Sequence, residues 1–129
     1  MTWGSHMNWW MVTGGAMALI CAVGHAIAGR SMFFRPIKSD VRSELHAAIF
    51  TGMWQIITIN FTLSAIALVA LSARGHGNIV ASLIAVQFAG YAAVYLVLSL
   101  RLGGPLKLFQ WIPFGATAIL SALGAIAAP

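Results

Sequence analysis

Residues 45–73, LHAAIFTGMWQIITINFTLSAIALVALSA, contain no charged side chain. A helix rises about 1.5 Å per residue and the hydrocarbon core of a bilayer is about 30 Å thick, so about 20 apolar residues cross it once. The run is long enough for one crossing and too short for two. It is continuous, with no period-2 alternation, which selects a helix over a barrel strand. Residues 1–29, 75–100 and 108–129 are likewise free of side-chain charge. These runs predict four spans, at about 9–29, 45–72, 79–100 and 109–128. The expected fold is all-α: one integral membrane domain over residues 9–129, an antiparallel four-helix transmembrane bundle, preceded by a short segment over 1–8.

Composition agrees. The chain of 129 residues is 60% apolar and only 7% charged, where a soluble domain is roughly 45–50% and 25%. So few charges cannot wet a soluble surface, and the apolar content excludes disorder. Cys21 is the single cysteine, which excludes a disulfide-stapled fold. Gly4-Ser5-His6-Met7 matches a common expression-vector scar, so His6 and Trp3 are set aside and Met7 is the expected native start.

The basic residues give the orientation. Arg30, Arg35, Lys38 and Arg42 lie in the first connection, Arg101 and Lys107 in the third, and Arg74 alone in the second. Retention of Lys and Arg on the cytoplasmic side then puts connections one and three inside and both termini outside. The net charge of +5 is therefore a topology signal, and no nucleic-acid partner is expected. Phe33 and Phe34 between Arg30 and Arg35 suit a segment at the headgroup layer, where Arg30, Arg35, Lys38 and Arg42 would meet anionic lipid. Trp9, Trp10 and Trp111 mark span boundaries. Ser39 or Asp40 is placed to cap the second helix. Gly75-His76-Gly77 reads as a tight outer turn with a solvated histidine.

Within the spans, Gly14, Ala18, Cys21, His25, Ala28 and Gly29 share a face, a stripe on which helices can pack closely. Gln55, Asn60 and Gln87 are expected as interhelical hydrogen-bond partners buried in the bundle, because an amide facing lipid is costly. Trp54 is expected in the core. His25 and His46 are the candidates for chemistry. They are placed near the inner ends of consecutive helices, and such helices usually pack side by side. Three uses compete: ligation of a haem or other metal with Cys21 one turn away, binding of a quinone or lipid head group, or simple closure of the helix pair.

Gly24-His25-x3-Gly29-Arg30, then Arg35-Pro36, His46 and Trp54, resembles a pattern of small four-helix bacterial inner-membrane proteins of unknown function. The resemblance covers roughly residues 14–60 and implies a fold but no activity. Thr58-Ile59-Asn60-Phe61 is similar to a stretch of small four-helix fluoride channels, whose broken third helix and paired phenylalanines have no counterpart in this chain.

Enzymatic chemistry finds little support. Asp40 and Glu44 are the only carboxylates and neither falls inside a span, which disfavours an acid-driven antiporter and a catalytic triad. There is no CxxC, phosphate loop, HExxH or Gly-x-Ser-x-Gly. The leading expectation is a non-enzymatic accessory or interaction subunit, or a homo-oligomer. The alternatives are a cofactor-binding protein using His25 and His46, and a small channel or transporter resting on the polar residues of span two.

Overall fold

The computed structural model describes residues 7–74 and 78–128; Trp3, His6 and His76 lie outside them. Those residues form four helices and no strand. Helix α1 runs Trp9–Asp40, α2 Glu44–Ser72 and α3 Asn78–Arg101, and α4 runs Trp111–Ile126. The first three are long and apolar enough to cross a membrane. At 16 residues α4 reaches about 24 Å, short of a full hydrocarbon core.

Expected boundaries hold to one or two residues for α2, α3 and α4. Helix α1 differs. Arg30 was the expected end of span one, yet the helix continues to Asp40. A charge ends a lipid-length run, but arginine and lysine are good helix formers and do not end a helix. Over His25–Phe34 the winding widens to a π-helix, and the Arg35 amide donates to the carbonyl of Arg30, five residues back. The wide segment stops just before Pro36, whose ring would strike the carbonyl four residues earlier in a regular helix. The hairpin turn is therefore only 41–43. Ser43, rather than Ser39 or Asp40, caps α2, its hydroxyl accepting from the His46 amide at 3.5 Å.

Neighbouring helices are antiparallel. Asn8 caps α1 through Met11, and its side-chain amide donates to the Gly124 carbonyl at 2.8 Å while its own N–H donates to the Ser72 carbonyl at 3.0 Å. One residue thereby ties α1 to α2 and α4 at one end. Small residues let these three helices close. A Cβ on Gly15 would stand 2.8 Å from Val69 Cγ2 and 3.1 Å from the Ala65 carbonyl, and one on Gly124 would stand 2.7 Å from Met11 Cγ. Gly14 faces Leu120 and Ser121 at contact distance.

Helix α4 packs along both α1 and α3, while the backbones of α2 and α3 stand apart. Rings fill that seam. Phe61, Phe88, Tyr91 and Phe114 lie with centroids 5.3–6.0 Å apart, and Tyr95 joins Phe114 at 5.5 Å. Their edge-to-face and tilted arrangements match the ring quadrupoles. At the opposite end from Asn8, Gly103 takes a positive φ of 96°, which suits glycine, in the turn after α3. Ser99 closes that turn by donating to the Gly104 carbonyl and accepting from the Leu108 amide.

Candidate functional site

The antiparallel hairpin decides which residues meet. With its turn at 41–43, residue 25 of α1 mirrors residues 58–59 of α2, not residue 46. His25 Nδ1 lies 2.9 Å from Thr58 Oγ1. Its ring stacks on Trp54 at 3.9 Å and 21° and meets the edge of Phe61 at 5.8 Å. The edge of the Trp54 indole lies against Gly29, where a Cβ would stand 3.1 Å from the ring. Phe34 and Phe50 extend the stack toward the hairpin tip. His25, Gly29 and Trp54 of the sequence pattern thus share one cluster.

His46 is not part of it. It is exposed, and twelve residues of unbroken helix separate it from Thr58, about 18 Å along the axis. The expectation that the two imidazoles sit at one depth fails because α1 continues eleven residues past 29 and carries the turn outward with it. Cys21 is buried and faces α4, its sulfur 3.9 Å from Thr117 Oγ1. Among the described residues, no three of His, Cys, Asp and Glu come together as a metal centre would need.

The three amides part ways. Asn60 donates to the Tyr91 hydroxyl at 2.9 Å, one of the few polar links across the α2–α3 seam. Gln87 is half-buried and its Nε2 is enclosed without a partner. Gln55, expected in the bundle, is exposed. It lies one residue round the helix from Trp54, which faces α1, and so points off the flank of the hairpin. The threonines on its side of α2 need no outside partner. Thr51, Thr58 and Thr62 each donate to the carbonyl four residues earlier. Arg30, Arg35, Lys38 and Arg42 are all exposed, and Lys38 reaches over the Phe34 ring at 5.6 Å.

Thr58 carries information about the His25 proton. A threonine hydroxyl has one hydrogen, and the Trp54 carbonyl at 3.1 Å can only accept it. The contact with His25 is made at the same time only if Nδ1 donates. The neutral imidazole then carries its lone pair on Nε2, which has no hydrogen-bond partner among the described residues. Gln110, half-buried beside the start of α4, has its Oε1 enclosed and equally unpartnered. Sequence reading did not single out Thr58 as a neighbour of His25. Reflection about the true turn finds Thr58, but only once the length of α1 is known.

No family model, no curated protein and no solved structure matches the chain.

Proposed function

We propose that the protein is a non-enzymatic component of a bacterial inner membrane, with its termini outside, that assembles with a second copy of itself or with a partner subunit. Six of seven basic side chains belong to the end of the bundle formed by the α1–α2 hairpin and the α3–α4 turn, as positive-inside retention requires. Exposed Arg30, Arg35, Lys38 and Arg42 are suited to anionic headgroups there.

The observation that carries the assembly reading is Gln55. Its amide is exposed on a flank it shares with Ile59, 54% exposed, and Ile56, 66% exposed. In hydrocarbon a primary amide with no partner costs several kcal/mol by analogy with a backbone group, and amides across helices are a common adhesive. A second helix laid on this flank satisfies it.

The test is the mass of the untagged protein released from native membranes in mild detergent, with cross-linking in the membrane beforehand. A dimer or a defined complex that Gln55→Leu weakens and Gln55→Asn retains is the expected result. A lone protomer before and after substitution overturns the assembly reading.

A further inference from the structure

We propose that His25 and Gln110 form the polar end of a binding site for a lipid-soluble aromatic head group bearing hydroxyl donors, of the quinol class. The proposal rests on the chain residing in a membrane, but not on the Gln55 interface, which lies on another flank.

Five observations converge. Thr58 fixes the His25 proton on Nδ1 by accepting from it at 2.9 Å while donating to the Trp54 carbonyl, so Nε2 offers a lone pair. The ring is locked against rotation by Trp54 behind it and Phe61 at its edge. The histidine begins the π-helical segment, a departure from regular winding that recurs at functional sites. Gln110 contributes an acceptor of its own, its Oε1 enclosed and without a partner. The α1–α4 register, with Cys21 against Thr117 and Gly14 against Ser121, brings the first turn of α4 and the Gln110 before it to the level of His25.

Two acceptors without donors, at lipid depth and beside Trp54, Phe61 and Phe114, specify the missing ligand. It brings hydroxyl hydrogens rather than lone pairs, and a flat apolar body to lie among rings. A bare metal ion fits poorly, because no third ligating side chain joins His25 among the described residues. Thr58 is the positioning residue; it holds the tautomer and touches nothing of the ligand.

The experiment uses the untagged full chain in nanodiscs and titrates a short-chain hydroquinone against its dimethyl ether, which keeps the rings and lacks both hydrogens. Binding is read by saturation-transfer NMR. The hydroquinone binds at least about tenfold more tightly than the ether, and His25→Phe and Gln110→Leu each remove most of that preference. Thr58→Val lowers it less, and Thr58→Ser restores it. Circular dichroism and thermal unfolding confirm that each variant is folded. If His25→Phe does not fold, His25→Gln takes its place: its amide keeps the ring site polar while losing the fixed lone pair, and the preference again falls. Equal binding of hydroquinone and ether, or a preference untouched by folded His25 and Gln110 variants, overturns the proposal. So does a Soret band in the purified protein, which would assign Nε2 to a haem iron.

Discussion

The two halves of α2 behave as different materials. From Phe61 to Ser72, its outer half in the orientation proposed above, the helix buries Phe61, Ser64, Ala65, Leu68 and Ser72; from Glu44 to Asn60, its inner half in that orientation, it buries none. The outer half is clamped against α1 at Gly15, with α4 closing on α1 at Gly14 and Gly124, so dispersion between close backbones is the cohesive force. The inner half leans on α1 through Trp54, Phe50 and Thr58, and reaches α3 by the hydrogen bond from Asn60 to Tyr91. The contrast follows from helix length. Helices α1 and α2 extend past the start of α4, so their inner segments have fewer neighbours. Close packing therefore holds the outer half, while the inner half keeps its polar groups and bare faces for something outside the chain.

Substitutions can break or sharpen that contrast. Gly15→Leu in the outer half is the most damaging: its side chain would have to displace Val69 and press on the Ala65 backbone, and we expect a loss of about 3 kcal/mol in unfolding measured by steric trapping. Gly29→Ala, in the inner half, meets only the movable end of Trp54 at 3.1 Å; a loss of about 1 kcal/mol with a shifted tryptophan emission is expected. Asn60→Leu removes the hydrogen bond to Tyr91 and costs about 0.6 kcal/mol by the same measurement, a value typical of polar contacts inside bilayers. Gly90→Ala reverses the sign. Nothing lies within 4 Å of its missing Cβ, so the gain in helix propensity stabilises by about 0.5 kcal/mol. If Gly15→Leu proved milder than Asn60→Leu, the division into a clamped half and an open half would be wrong.

Much of the fold could be read from where charges are missing. The α2, α3 and α4 boundaries follow from Glu44, Arg74 and Arg101 because those residues sit where helix and apolar run end together. Arg30 separates the two criteria. It ends the apolar run but not the helix, and everything downstream of that error is the candidate site. Taking the whole stretch from Arg30 to Glu44 as connection leaves His25 and His46 near its two ends, at one depth; placing the turn at 41–43 pairs His25 with Thr58. Gln55 eluded the helical wheel for another reason. A wheel gives its angle relative to Thr58 and Thr62, but not that these hydroxyls satisfy themselves on their own backbone, that Thr58 sits against His25, and that Gln55 is left on the exposed flank. Nothing in the sequence marks Gln110, since its level beside His25 comes from the α1–α4 register.

Unequal stature has a mechanical corollary. One flank of the molecule rises about 44 Å along α2, while α4 stands about 24 Å tall. A bilayer of uniform thickness cannot match both. In the membrane proposed above, lipids beside α4 would shorten or splay, and those beside the hairpin would stretch or let it lean, at fractions of a kcal/mol per Å. So placed, the protein would act as a wedge, selecting short acyl chains on one side and favouring thin or bent regions of the sheet.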